Sequence, residues 1–117
     1  MKFLVLLVSV LAFIQSASAN TASYYCVSGD YEMSFSLEGS VLTVWEGNSD
    51  WSYADGHQYQ GHLAKVTDGL AVFPLKISAQ NRQFPAPEKA EIQIPEVMLK
   101  SKVSSDVTFE TIVYSCW

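Results

Sequence analysis

The stretch YEMSFSLEGSVLTVWE, residues 31–46, decides the fold. In residues 31–37 the side chains of Tyr, Met, Phe and Leu alternate strictly with those of Glu and Ser, which indicates a strand with one buried face. Residues 38–40 form a short turn signal, and residues 41–46 are rich in the β-branched and aromatic side chains that favour strands. The stretch therefore predicts a β-hairpin that packs one face against a core.

The rest of the chain continues as short strand segments separated by turn residues. Asp68 and Gly69 form a strong signal for a tight hairpin turn, and Pro74 predicts an edge position or a bulge because it lacks a backbone N–H. No segment shows a sustained 3.6-residue period. The fold class is therefore predicted to be all-β, a small antiparallel meander barrel or alternatively a β-sandwich of about seven or eight strands. The further predicted strands are residues 22–27, 58–66, 70–77, 90–94, 97–99 and 106–116.

Two cysteines, Cys26 and Cys116, lie near the two ends of the predicted domain. Each follows a tyrosine two positions earlier, Tyr24 and Tyr114, so that Cys and Tyr share one face of their strand. In an oxidising compartment such an isolated pair is expected to form a disulfide. The bridge would place the first and last strands side by side and remove two exposed sheet edges, which favours the closed barrel.

The first 19 residues have the pattern of a secretory signal peptide. Lys2 provides a positive start, residues 3–14 are apolar apart from Ser9, and the small residues of 17–19 suit signal peptidase. The apolar run is shorter than the roughly 20 residues that a transmembrane helix needs. We predict a signal peptide over residues 1–19 that is cleaved after Ala19. A single β-barrel-like domain over residues 20–117 would then be secreted or periplasmic.

The predicted mature chain is acidic. The whole chain has 7 Lys and Arg against 12 Asp and Glu, a net charge of −5, and removal of Lys2 brings it to −6. The absence of a basic cluster argues against nucleic acid and against anionic membrane surfaces, which both attract Lys and Arg. Several strands are too short for a transmembrane barrel. We therefore expect a protein or small-molecule partner, no nucleic acid and no stable membrane insertion.

Motifs of common enzymes and cofactor sites are missing from the sequence. Neither cysteine can act as a nucleophile if both are bridged, and a hydrolytic triad would have to use His57 or His62. A metal site built from Asp50, Asp55 and the two histidines lacks recognisable ligand spacing. We therefore expect no cofactor, no metal and no catalytic residue, and we keep a secreted hydrolase near the histidines as an alternative.

The most unusual segment is the polar, aromatic loop predicted at residues 47–57 with the strand that follows it. Exposed aromatic rings provide rigid contact area, and loops on β scaffolds often carry function. The alternative is packing, with Trp45 and Tyr59 directed into the core and Trp51 covering an open barrel end. The candidate binding residues are Trp51, Tyr53, His57 and Tyr59.

A second candidate surface is the segment 84–87, whose two prolines favour a stiff, extended backbone that suits a partner's cleft. The alternative for this segment is a rigid connector between strands.

The Tyr-x-Cys opening at Cys26, the alternating strand that follows it and the cysteine near the C-terminus resemble the small periplasmic lysozyme inhibitors. The chain lacks the Ser-Gly-Ala-Lys-Tyr-like inhibitory segment of that family, so no family is assigned. We predict an exported, non-catalytic binding module for a protein or small ligand, which includes an inhibitor-type protein. The alternatives are the secreted hydrolase and an envelope structural or assembly subunit.

Overall fold

The computed structural model describes residues 22–48, 56–79 and 86–117, and the predicted signal peptide and its cleavage site lie outside these residues. In the described part of the chain there are nine strands and one short helix. They are β1 (Ala22–Ser28), β2 (Tyr31–Glu38), β3 (Val41–Asn48), β4 (His57–Gly61), β5 (Lys65–Thr67), β6 (Leu70–Ala79), β7 (Lys89–Pro95), α1 (Glu96–Lys100), β8 (Ser105–Phe109) and β9 (Ile112–Cys116).

Eight of the strands form a closed antiparallel barrel. The strand order is β4-β3-β2-β1-β9-β8-β7-β6-β5, and β4 also pairs with β6, which completes the ring. The strand β5 pairs only with the beginning of β6 and extends the barrel wall beyond the end of β4. Because neighbours in the wall follow one another along the chain, the barrel is a meander. The prediction of an all-β meander barrel is confirmed.

The disulfide lies at the seam where β1 meets β9. Cys26 and Cys116 are direct cross-strand partners, their Cα atoms are 4.1 Å apart, and both side chains are buried. Next to them Tyr25 and Trp117 exchange two backbone hydrogen bonds of 3.0 and 2.9 Å. The predicted bridge between the first and last strands is confirmed. An intramolecular disulfide is consistent with an oxidising compartment.

The interior of the barrel is a packed core made by alternate residues of each strand. Within β2, for example, Met33 and Phe35 point inward, while the serines beside them point outward. In a barrel of eight strands the interior is just wide enough for side chains to fill it. The largest fully buried side chains are Tyr59, Tyr114, Phe73, Met33, Leu42, Ile92, Ile94 and Met98.

The strand predicted over residues 58–66 is divided into β4 and β5 by a bulge. Three residues, 62–64, lie opposite only two residues of β6, 73–74. Pro74 lies at this break, where a missing N–H does not remove a ladder hydrogen bond. A Cβ atom on Gly61 would collide with the carbonyl oxygen of Pro74, so glycine permits the close approach of the two backbones. The bulge expected from Pro74 is confirmed.

The prediction of a strand at residues 97–99 is wrong, because these residues lie in α1. The helix follows Pro95 and buries Met98 against the core. The N–H of Glu96 donates to the carbonyl of Gly69 at 2.8 Å, and Lys100 lies 3.5 Å from the Glu96 carboxylate. Glu, Met, Leu and Lys are good helix formers, but five residues are too few to show a helical period.

The single long strand predicted over residues 106–116 is a hairpin of β8 and β9. Its turn uses Glu110 in the left-handed conformation, with φ of 56°. The inward residues are odd-numbered in β8 and even-numbered in β9, as in Val107 and Tyr114. The turn was missed because it has neither glycine nor proline nor asparagine.

The two ends of the barrel differ. At one end, here called the helix end, α1 covers the interior and is held by the hydroxyl of Tyr24. That hydroxyl donates toward the carbonyl oxygens of Met98 at 2.7 Å and Ser101 at 3.2 Å, and accepts from the N–H of Val103 at 3.3 Å. At the opposite end β3 finishes and β4 begins. This second end is called the Glu46 end.

Candidate functional site

The inner wall at the Glu46 end carries ionisable side chains. Glu46 is cross-strand partner to Met33 on one side and to His57 on the other. Because side chains of a strand alternate, Glu46 shares the inward face with buried Leu42 and Val44. The barrel therefore has a carboxylate and an imidazole at inward-facing positions next to the core, where apolar side chains are usual.

The Glu46 carboxylate and the His57 imidazole are electrostatic neighbours. Their atoms Oε1 and Nε2 are 4.0 Å apart, which is too long for a hydrogen bond. His57 is 2% exposed, whereas 18% of the Glu46 side chain remains exposed. Burial raises the pKa of Glu46 because enclosure disfavours the charged carboxylate. A perturbed carboxylate next to a buried histidine at a barrel end is a candidate functional site.

The charge of this carboxylate acts on two buried tyrosines, Tyr59 and Tyr114. Burial, followed by the charge of Glu46, raises the pKa of both Tyr59 and Tyr114 to about 12. The third cause for Tyr114 is Tyr31, which begins β2 and is 49% exposed. The two buried phenols are therefore neutral over the physiological pH range.

The two buried phenols differ in their hydrogen bonds. Tyr59 donates to the carbonyl of Pro87 at 3.0 Å, and its ring meets the ring of Phe109 edge-on with centroids 5.5 Å apart. Tyr114 is 1% exposed, and its hydroxyl has no hydrogen bond within the described residues. Every fully enclosed side-chain polar atom there does have a partner. Tyr114 is thus a buried phenol beneath the Glu46 end.

Two long connections and several acidic residues belong to the Glu46 end. The connections 49–56 and 80–88 join strands here, because β3 and β6 both run toward this end. Besides Glu46, the described acidic residues in its connections are Asp30, Glu88 and Glu110, and Lys89 is the neighbouring cation. At the helix end acidic and basic residues balance. They are Glu38, Asp68 and Glu96 against Lys65, Lys100 and Lys102.

The structure describes two of the four predicted binding residues. His57 and Tyr59 lie two residues apart on the inner face of β4, so they form part of the barrel wall rather than of an exposed loop. Trp51 and Tyr53 lie outside the described residues, as do Asp50 and Asp55. Of segment 84–87, Phe84 and Pro85 are likewise outside, and Pro87 accepts the hydrogen bond from Tyr59.

Trp45 is buried, but it lies on the outer face of β3. It stands between the inward residues Val44 and Glu46, and only 6% of it is exposed. A Cβ atom on Gly56 would collide with the indole ring, so Gly56 packs directly against Trp45. This contact fixes the point where connection 49–56 returns to the barrel.

The residues that the sequence did not single out are Glu46, Tyr31 and Tyr114. A signal for Glu46 was present, because Leu42, Val44 and Glu46 alternate in the predicted hairpin and so share its buried face. Nothing local connects that carboxylate with Tyr114, which is 68 positions later in the chain. Only closure of the barrel brings the two side chains into the same end.

The two histidines are far apart. His57 begins β4, whereas His62 follows its end, and the Nδ1 atom of His62 lies 3.0 Å from the carbonyl oxygen of Ser40 on the surface. No group of three or more His, Cys, Asp or Glu side chains within residues 22–48, 56–79 and 86–117 is arranged to hold a metal ion.

In the described part of the barrel, two clefts can be compared with the Glu46 end. The first, of about 250 Å³, lies between the start of β1 and α1, where the hydroxyl of Tyr24 is already hydrogen-bonded. The second, of about 210 Å³, lies on the outer wall beside Trp45 and is lined by Ser23, Ser34, Phe35, Ser36 and Thr43. Neither cleft is lined by a buried carboxylate or imidazole, in contrast to the Glu46 end.

Comparison of the chain with protein-family models, with curated proteins and with solved structures gave no match. Among the described residues, no helix has the length and apolar character needed to cross a membrane.

Proposed function

We propose that this protein is an exported, non-catalytic binding module that holds a protein or small ligand at the Glu46 end of its barrel. One observation carries the proposal: Glu46, His57 and Tyr114 converge on the interior at one end of an otherwise apolar core. Burying a polar or charged group costs stability unless it is hydrogen-bonded or paired, and a bound ligand can supply that partner. Convergent polar groups at the mouth of a barrel are typical of ligand sites.

The scaffold suits a binding role because a closed barrel can hold binding residues at one of its ends. The ring of strands is closed and pinned by the disulfide, and connections held by such a scaffold are where recognition residues usually lie. The connection that contains Trp51 and Tyr53 leaves β3 after Asn48 and returns at Gly56 beside His57. These aromatic residues are therefore proposed to contact the partner together with His57 and Tyr59.

Two observations weigh against the hydrolase alternative. The two cysteines of the chain are joined in the disulfide and provide no nucleophile. The histidines lie at different ends of β4, so they do not form one catalytic site. If purified protein hydrolyses chromogenic ester, glycoside or peptide substrates, and His57→Ala abolishes the turnover, the non-catalytic proposal is wrong.

The proposed location is the periplasm or the extracellular space, because the N-terminal pattern predicts cleavage after Ala19 and the disulfide needs an oxidising compartment. The acidic charge and the lack of a basic cluster support a partner other than nucleic acid or an anionic membrane. N-terminal sequencing of the exported protein tests the cleavage site.

The binding proposal is tested by comparing variants of the two ends. Immobilised mature protein is incubated with secreted or periplasmic extract of the source organism, and each retained component is purified and titrated directly. We expect binding to be lost in Trp51→Ala/Tyr53→Ala and unchanged in the control Val97→Ser, which alters an exposed residue of α1 at the helix end. A component that binds all three proteins equally would contradict the proposed site.

A further inference from the structure

We propose that the Glu46 end recognises a basic protein by accepting one of its lysine or arginine side chains against the Glu46 carboxylate, between Tyr31 and Tyr114. This inference rests on the proposed binding function and names the chemistry of its partner. It follows from the state of the carboxylate, from the tyrosines beside it and from the charge of this end of the barrel.

Glu46 is an enclosed carboxylate without a cation that matches it. Within the described residues its one ion-pair neighbour is the His57 imidazole, whose Nε2 atom lies 4.0 Å from Oε1 of Glu46. Its side chain is nevertheless partly exposed, so an incoming group can reach it. A positive charge within about 4–6 Å would favour the ionised carboxylate and offset the cost of its burial.

The tyrosines provide the groups that an ammonium or guanidinium needs besides a counter-charge. No hydrogen bond of the buried Tyr114 hydroxyl is found within the described residues, and a hydroxyl oxygen can accept from an N–H donor. The ring of Tyr31 is half exposed, and aromatic faces attract cations. The charge of Glu46 contributes to the raised pKa of Tyr114.

The wider charge distribution favours a large basic partner over an isolated ion. Asp30, Glu88 and Glu110 lie in the connections of the same end, and the whole chain carries a net charge of −5. Such a field steers a basic protein toward this surface and orients it. A divalent metal is a poorer fit, because Ca²⁺ and Mg²⁺ require about six oxygen ligands. The described residues offer no such cluster.

The experiment uses a ten-residue oligo-arginine peptide and the single-residue probe N-acetyl-arginine methylamide, each titrated calorimetrically into the mature protein at low salt. The test variant is Glu46→Gln, which keeps the shape of the side chain. The matched control is Glu38→Gln, which removes the same charge from an exposed residue at the helix end. We expect Glu46→Gln to weaken binding of the peptide at least about tenfold, because an enclosed charge partner is lost, and Glu38→Gln to change it less than about twofold.

A second variant and a chemical-shift titration keep the test decisive if Glu46→Gln does not fold. Tyr114→Phe should weaken peptide binding several-fold without moving the unfolding midpoint beyond the range of the control. Amide chemical shifts on titration should change around the end of β3 and the start of β4. Equal weakening in Glu46→Gln and Glu38→Gln, shifts confined to other surfaces, or no binding of the peptide would overturn the inference.

Two outcomes separate this inference from the proposal on which it rests. If a captured partner is lost in Trp51→Ala/Tyr53→Ala but binds Glu46→Gln as it binds the wild type, the cation inference fails and the binding site stands. If the partner binds every variant equally, both fail. If the single-residue probe binds as tightly as the peptide, the partner is a small cation, and the assignment to a basic protein is overturned.

Discussion

Removal of the Cys26–Cys116 disulfide should lower the stability of the barrel by a large part of its total. The perturbation is the double variant Cys26→Ala/Cys116→Ala. The two cysteines are 90 positions apart in the chain, so the bond closes almost the whole domain into one loop. Without it the unfolded chain gains the conformational freedom of that loop, while the folded barrel keeps its strand pairing.

The size of the effect follows from the length of the loop. For a separation of 90 residues the chain-entropy relation gives about 4.6 kcal/mol at 25 °C. A domain of this size is typically stable by only about 5–15 kcal/mol. The same loss corresponds to a decrease in Tm of roughly 20–35 °C for about 100 residues. The variant should therefore be folded only marginally at physiological temperature.

The assay is reversible denaturant unfolding of the oxidised wild type, the reduced wild type and the double variant. Comparison of the two wild-type forms isolates the cross-link, because the side chains differ only in the bond. Comparison of the reduced form with the variant measures the cost of removing two buried sulfur atoms. The slope of the unfolding free energy against denaturant should also rise on reduction, because a chain without the cross-link exposes more surface when unfolded.

The reasoning is refuted if oxidised and reduced wild type differ by less than about 1 kcal/mol with equal slopes. In that case the seam between β1 and β9 would be held by strand pairing and core packing alone. The two backbone hydrogen bonds between Tyr25 and Trp117 would then be sufficient to keep the barrel closed.

Three further perturbations test individual contacts. Burial raises the pKa of Glu46, so the folded state holds that proton more tightly than the unfolded state does and is destabilised as pH rises through the raised pKa. Glu46→Gln should therefore raise the free energy of unfolding at pH 7. This gain in stability should vanish below pH 4.5, the ordinary pKa of a glutamate side chain. An equal gain at every pH would contradict this explanation. Gly56→Ala should cost about 1–3 kcal/mol in denaturant unfolding, because the new methyl group collides with the indole of Trp45, and a neutral effect would show that this contact is loose. Tyr24→Phe should cost about 1–3 kcal/mol and speed hydrogen exchange of the Val103 amide, because that N–H loses its acceptor; unchanged exchange would exclude the anchoring role of the hydroxyl.

Much of the barrel could be predicted because strand pairing leaves a local signature. The alternation in residues 31–37 and the turn at Gly39 specify a hairpin within a few residues of chain. The positions of Cys26 and Cys116 then indicate which strands meet at the seam. These features depend on the period of a strand and on disulfide chemistry, which a single sequence displays directly.

The errors in the fold arose where a local signal was too short or was absent. The helix α1 has five residues and begins directly after a strand, so no period could develop. The turn at Glu110 has a positive φ, and glutamate is not a residue type that indicates such a turn in a sequence. A signal was nevertheless present there, because the buried positions change from odd to even numbers between Phe109 and Ile112, which a single strand cannot do.

For the candidate site as well, some features follow from local sequence patterns and others depend on contacts between residues far apart in the chain. The sequence alone determined the strands, their inward faces, the disulfide that joins the ends and the concentration of aromatic residues before and after His57. Tertiary structure alone decided that Glu46 faces His57 across a strand pair and shares its end of the barrel with Tyr31 and Tyr114. The physical reason is that these side chains meet only when the barrel closes. Which side chains meet at a barrel end depends on the register of several strand pairs at once, and no local pattern encodes that combined register.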